Sequence, residues 1–368
     1  MNKKLYYLTY QDFPANTANS QQTIGMCKYF VRNKYEVSLF FPLRSKHSDD
    51  NLKSLKKHYE FNREIFDVVG IQHKTKFEGS NHFKKIRYIF GHILWAKNSV
   101  KKILKEFEVP SIFFTRSDWV FYFLSKKNKP VVFECHKLTR SRKKILQLSI
   151  KKEFSKIIFI NDKLKIEANI KSRYFKKLLI QGAGYDQDFF YKSDEKIFKQ
   201  VIYAGSLQRL GLSRNLDYII SSFSDKRLSG FNLKIFGGTD KEITLLKEKY
   251  KHIPNVLFSK HITKTSLGKE FAESEIGILA GSNDIFSKYY TDPLKFYEYV
   301  AAGLKIVATN FPSHRNLEKY SNITFFNYED SDSFINSVLK AHENNYKKQT
   351  KNVPTLDSRI KNIINFIS

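Results

Sequence analysis

The densest group of side chains able to bind a ligand lies in YYTDPLKFYEYVAAGLKIVATNFPSHRN, residues 289–316. Thr291 and Asp292 are of the types that cap a helix, and Pro293 suits a first turn, where its missing N–H is harmless. The expected helix runs from Pro293 to Ala302 and ends at Gly303, with the strand KIVATN directly after it. Its start would offer backbone N–H groups and the positive end of the helix dipole, a ready site for a phosphate. Glu298 lies between one and two turns further on. A carboxylate there can accept both hydroxyls of a ribose whose phosphates sit at the helix start. The same spacing also describes a routine capped helix with a surface glutamate.

A second candidate is His136, which closes the apolar run PVVFECH. A histidine just past the carboxyl end of a strand can hydrogen-bond a sugar hydroxyl or move a proton, or can simply be structural. Glu134 is expected to point the other way along that strand and to be structural. Arg116 and Asp118, at the end of the run SIFFTR, are candidates for the acceptor side. Metal chemistry is not expected. No acidic cluster stands at a strand end, and the pair Asp49 and Asp50 lies in a polar loop.

These side chains need elements to hold them. Eleven short runs rich in Val, Ile, Phe and Tyr are apolar on both faces, as parallel strands covered by helices are. They fall at 4–10, 35–42, 110–116, 129–135 and 156–162, then at 199–205, 231–238, 255–260, 275–281, 305–310 and 323–327. Stretches such as 97–107 and 215–223 between them have helical spacing. Strand and helix alternate twice over, which predicts two doubly wound α/β domains with a ligand cleft between them. The joint is expected within 182–200, where glycines and charges interrupt the pattern. The final helix has apolar positions at 360, 363, 364 and 367 and needs a surface to cover.

A length of 368 residues fits two domains, and 41% hydrophobic with 27% charged residues is an ordinary globular balance. Cys27 and Cys135 are the only cysteines, too few for a disulfide scaffold or a cysteine-rich zinc site. No run is long and apolar enough to span a bilayer, and the start is too polar for a secretion signal, so a cytoplasmic location is expected. The net charge of +28 calls for a polyanionic partner, although an AT-rich genome alone would also enrich lysine. The charge is uneven, however: residues 1–190 carry a net +21 and residues 191–368 a net +7.

The segment TDPLKFYEYVAAGLKIVATN resembles the nucleotide-sugar motif of GT-B glycosyltransferases, in particular the retaining family 4 type, usually close to SPLKLFEYMAAGKPIVAT. Four further segments follow the same family in order. VIYAGSLQRLG (201–211) resembles its glycine turn at Gly205, and FAESEIGILAG (271–281) its "aDigilp" strand. VVFECHKL (131–138) resembles its "vvfE.H" segment and GYDQDFF (184–190) its "GvD...F" hinge. The resemblance implies the GT-B fold: residues 1–190 as an acceptor-binding domain, 191–350 as a nucleotide-sugar donor domain, and 351–368 as a C-terminal helix that could cross back to the first.

By this resemblance Glu298 is the second glutamate of the family's E-x7-E pattern and holds the ribose. The backbone N–H groups of Leu294 and Lys295 meet the donor diphosphate, which agrees with the helix-start argument from Thr291 and Pro293. His136 contacts the transferred sugar near the reacting carbon. Two positions depart from the pattern: Tyr290 stands where the first glutamate falls, and Ser206 where an arginine often follows the glycine. Arg209 and Arg214 are the nearby cations that could neutralise a diphosphate leaving group, Arg209 being favoured, since a guanidinium pairs with phosphate oxygens in fixed geometry. Arg209, Lys295 and the helix start would absorb the developing charge, and the acceptor hydroxyl would attack the same sugar face, with no metal.

The implied function is retaining transfer from a nucleotide sugar, a co-substrate and not a cofactor, to a glycan or lipid-diphosphate-linked acceptor in bacterial surface polysaccharide synthesis. Residues 82–107 combine apolar helical positions, from Ile86 to Phe107, with Lys84, Lys85, Arg87, Lys97, Lys101, Lys102 and Lys105. Such a helix can lie on the inner face of an anionic membrane, or pack in a core with solvated lysines. Two other classes stay open. Tyr290 and Ser206 suit a GT-B scaffold without activity. The charge suits a nucleic-acid-binding protein, although no helix-turn-helix, RNP or zinc-finger pattern is present and no specific nucleic acid is expected.

Overall fold

Short strands that are apolar on both faces are satisfied only inside a parallel sheet with helices on either side. The computed structural model describes residues 3–45, 47–73, 81–189, 196–209, 212–214, 216–344 and 353–368. Each of the eleven expected runs overlaps one of its strands. The chain divides into two compact units, Met1–Gly182 with Leu356–Ser368, and Ala183–Thr355.

The first unit holds β1 (Lys3–Leu8), β2 (Tyr35–Leu43), β3 (Asp67–Gln72), β4 (Ile112–Thr115), β5 (Val131–Cys135), β6 (Ser155–Phe159) and β7 (Leu178–Ile180). All are parallel, in the order β3-β2-β1-β4-β5-β6-β7. Central strands β4 and β5 are buried at every residue. The helix Leu356–Ile367 belongs to this unit and sets Leu356, Ile360 and Ile363 in the core with Ile24, Phe30 and Leu39.

The second unit holds β8 (Gln200–Ala204), a small antiparallel hairpin of β9 (Gln208–Arg209) and β10 (Leu212–Ser213), then β11 (Asn232–Phe236), β12 (Val256–Ser259), β13 (Ile276–Leu279), β14 (Lys305–Thr309) and β15 (Ile323–Phe326). Its main sheet is parallel, in the order β12-β11-β8-β13-β14-β15. Period-two alternation sends Val201 and Tyr203 of β8 into one core and Ile202 and Ala204 into the other. Each unit therefore has a point where the strand order reverses, at β1/β4 and at β8/β13, and ligands of such sheets bind outside the carboxyl ends at that point.

The basic segment forms one helix, Asn81–Glu106. It does not pack along its full length as an ordinary core helix would. Trp95, Ala96, Val100 and Ile103 are buried, while Ile86, Ile89, Phe90 and Leu94 are exposed. The side chains of Lys84 and Lys85 lie outside those described.

The helix Leu294–Ala301 is tied to the sheet through Tyr299. Its hydroxyl accepts the Ala204 N–H at 3.0 Å, and its ring meets Phe271 edge-on at 4.9 Å. A Cβ on Gly277 of β13 would lie 2.6 Å from the Tyr299 ring, closer than carbon atoms approach. Gly277→Ala is therefore expected to destabilise the second unit by about 1–3 kcal/mol, the usual range for overpacking. Urea unfolding checks this, and a wild-type midpoint would contradict it.

Candidate functional site

The helix expected from Pro293 to Ala302 spans Leu294–Ala301, with Pro293 as its cap residue and Gly303 just beyond its end at φ 77°. Neither Thr291 nor Asp292 caps it, and among the described residues no side chain does. The Thr291 hydroxyl donates to the Phe286 carbonyl at 3.3 Å. The Asp292 carboxylate is occupied elsewhere: it accepts the Ala183 N–H through Oδ2 and the Tyr297 hydroxyl through Oδ1 at 2.7 Å. Sequence proximity suggested a cap, but the carboxylate is taken by Ala183, 109 residues away in sequence, and by Tyr297 on the helix itself. The first turn opens with Leu294 and Lys295, where a helix leaves its first N–H groups without intrahelical partners.

Lys295 and Glu298 meet each other as an i,i+3 ion pair, both partly exposed. Lys295 Nζ also sits 5.4 Å above the Phe271 ring. Glu298 lines a small cavity of about 20 Å³ with Asp186, Phe189, Lys264, Leu267 and Phe271. An ammonium one turn back thus restricts how this carboxylate can point.

At the carboxyl ends of β8 and β11, the Gly205 N–H donates to the Phe236 carbonyl at 3.0 Å. A Cβ on Gly237 would fall 2.0 Å from the Gly205 oxygen, and Gly237 has φ 137°, so this turn depends on a glycine the sequence reading did not single out. Arg214 is not a solvated loop cation. Its Nη1 donates to the Ala280 carbonyl, just past β13, at 2.9 Å, and its buried Nε has no hydrogen-bond partner among the described residues. Arg209 lies on β9, with its side chain outside those described. His314, also missed, is buried at the same edge, its ring Nδ1 against the Thr309 carbonyl at 2.8 Å.

In the first unit, Glu134 does not turn away from His136. Residues two apart on a strand share a face, and Glu134 Oε1 accepts from His136 Nε2. The other carboxylate oxygen takes Arg359 Nη2 at 2.6 Å. Arg359 is fully buried and also donates from Nε to the Gly182 carbonyl at 2.8 Å. Arg116 reaches Glu134 at 4.0 Å and Gln22 at 3.1 Å. Burial would raise the Glu134 carboxyl, but Arg359 and His136 hold it well below the usual carboxylate range. Burial first, and then Arg116, push the His136 imidazole down to about 4, so it is neutral near pH 7. Asp118 does not join this group. It opens the helix Asp118–Lys126 and pairs with Arg142 at 3.0 Å.

No protein-family model matches the sequence, and no curated protein matches it. Solved structures do match along nearly their whole length. A glycosyltransferase from Rickettsia africae shares 14% identity over 100% of this chain and 98% of that one, with a TM-score of 0.69. A variant of S. aureus TarM in complex with fondaparinux, alpha-GlcNAc-glycerol and UDP shares 10% over 100% of both chains, with a TM-score of 0.71. The catalytic domain of starch synthase IV from Arabidopsis thaliana, bound to ADP and acarbose, shares 10% over 100% of this chain and 99% of that one, with a TM-score of 0.68. The chain has the GT-B fold. A fold of this kind hosts many chemistries, so the reaction has to be argued from the site.

In the second unit Asp292 is held to Ala183, while Lys295 and Glu298 pair in the helix that follows it, and Arg214 is held to the Ala280 carbonyl just past β13. The first unit joins His136 and Arg116 through Glu134. Among the described residues no three His, Cys, Asp or Glu side chains are grouped to hold a metal ion, and no helix is long and apolar enough to cross a membrane.

Burial lowers His92 and His314, like His136, to about 4 from the ordinary 6.5. The unfolded chain then binds more protons than the folded one between those values. Stability should be full above pH 6.5 and fall as pH drops toward 4, by about 1.4 kcal/mol per pH unit for each proton of difference. Urea unfolding at pH 7 and pH 5 checks this, with a shallower slope expected for His314→Gln. Equal stability at the two pH values would contradict it.

Proposed function

We propose that the protein is a glycosyltransferase that takes its sugar from a nucleotide-sugar donor. The observation that carries this reading is the start of Leu294–Ala301, on the crossover between parallel strands β13 and β14, which no side chain caps among the described residues, with the Lys295–Glu298 pair beside it. The diphosphate of a donor would take the Leu294 and Lys295 N–H groups and the helix dipole. Glu298 would accept the ribose hydroxyls, and Lys295, released from part of its contact with Glu298, would meet the phosphate oxygens. As the nucleoside diphosphate leaves, Lys295, Arg209 and Arg214 would stabilise charge that exists only in the transition state and the product. Support comes from the similar structures that hold UDP and ADP.

His136 is proposed to meet the transferred sugar, and Arg116 and Asp118 to stand on the acceptor side, each already held by an ion pair or hydrogen bond. Transfer is proposed to retain the anomeric configuration and to need no metal. The acceptor is proposed to be a glycan or lipid-diphosphate-linked glycan of a bacterial surface polysaccharide. Exposed Ile86, Ile89, Phe90 and Leu94, followed on the same helix by exposed Lys97, Lys101 and Lys102, support contact with an anionic inner leaflet. Each basic residue near such a surface contributes about 1 kcal/mol. Tyr290, in place of a family glutamate, favours a second reading, a GT-B scaffold that binds nucleotide without transfer.

A thermal-shift screen with UDP, GDP, CMP and their sugars tests the proposal. A ligand at about 100-fold over its Kd stabilises the folded state by about 2.7 kcal/mol. The expected result is a raised Tm with one base, lost in Glu298→Ala, together with transfer or slow donor hydrolysis by the wild type. No shift with any nucleotide would contradict the donor site, and binding without turnover would favour the scaffold.

A further inference from the structure

The group around Glu134 contains more than a strand-end histidine requires. Glu134 is fully buried and uses its two oxygens on different partners, Oε1 on the His136 ring and Oε2 on Arg359. Arg359 comes from the C-terminal helix, 225 residues away in sequence, and is itself fully buried. Its guanidinium is fixed on three sides, by Glu134 at 2.6 Å, the Gly182 carbonyl at 2.8 Å and the Met26 sulfur at 3.2 Å. Burying two charges is costly unless each is paired in good geometry, so a network of this kind persists where the arrangement it enforces is useful.

We propose that Arg359 is a positioning residue for His136: it takes up the charge of Glu134, so that this carboxylate fixes the ring while leaving Nδ1 as a hydrogen-bond acceptor. An ionised carboxylate can only accept, so the proton of the bond is on Nε2 and the lone pair is on Nδ1. A lone glutamate in this place would do a second thing as well, stabilising the imidazolium and removing that lone pair. Arg359 on the far oxygen opposes this, as does Arg116 on the near side. Glu134, Arg116 and Arg359 are the charged groups acting on the ring, from β5, the end of β4 and the C-terminal helix. The ring is thus oriented by a carboxylate yet remains an acceptor, suited to a sugar hydroxyl or the proton of an attacking hydroxyl. The inference rests on the glycosyltransferase reading for what Nδ1 meets, and not for the state of the ring.

Arg359→Gln tests it in the full-length protein, with the His136 imidazole followed by NMR, its signal assigned from His136→Asn, and transfer measured at saturating donor. The expected result is a raised His136 titration midpoint, as loss of a nearby cation gives. The acid limb of the kcat–pH profile should move up with it while the donor KM at pH 7 stays within twofold, and Arg359→Lys should recover part of both shifts. A folded Arg359→Gln protein with an unmoved midpoint would overturn the proposal. A raised midpoint with an unmoved acid limb would support the control of the ring and instead overturn the role of His136 in transfer. Should Arg359→Gln fail to fold, Glu134→Gln with Arg359→Met removes both charges together. A loss of kcat at constant donor KM then supports the proposal, and wild-type kcat overturns it.

Discussion

An eight-residue helix does not hold itself together in water, so Leu294–Ala301 exists only because the fold holds it. Tyr299 locks its inner face to β8, Phe296 and Val300 bury beside it, and the Lys196 ammonium takes the Ala302 carbonyl at its far end at 2.6 Å. Asp292, which could have closed its start, is turned toward Ala183 and Tyr297 instead. The helix is secured from its side and its end, and among the described residues no side chain caps its beginning. The donor-site argument follows from that constraint, because an uncapped helix start at the carboxyl edge of a parallel sheet is matched by an anion.

The first unit meets the opposite problem. There charge is taken inward, and Glu134, Arg359, Arg116 and His136 satisfy one another near the carboxyl end of β5. Such a cluster adds little net stability compared with apolar packing of the same volume, but it leaves few alternatives for how its members can point. Asp118 and Arg142 do the same at the neighbouring helix start, where a carboxylate also suits the dipole. The large positive excess of residues 1–190 is therefore not uniform in meaning. Some of it is locked in buried pairs, and some stands on the exposed face of Asn81–Glu106.

How much of this was legible in the sequence follows from the range of the forces involved. The eleven expected strands were visible because burial on both faces leaves unbroken apolar runs. Strands β3 and β7 were not, since they sit at the sheet edges, mostly half-buried, and β7 is only three residues long. The helix at 294–301 and its end at Gly303 were local signals and could be read. The diversion of Asp292 could not, because its partner Ala183 is 109 residues away. Arg359 was invisible for the same reason, whereas the contact between Glu134 and His136 was available from strand periodicity and was misjudged. Buried His314 carries no local signature in the sequence.

The central claim is that a nucleoside diphosphate is held by the first turn of Leu294–Ala301 with its ribose on Glu298. A crystal or cryo-EM structure of the protein with the nucleotide that stabilises it tests this most directly. The account predicts phosphate oxygens within hydrogen-bonding distance of the Leu294 and Lys295 N–H groups and the ribose hydroxyls on the Glu298 carboxylate. Density for the nucleotide elsewhere, with that first turn covered by protein, would contradict it.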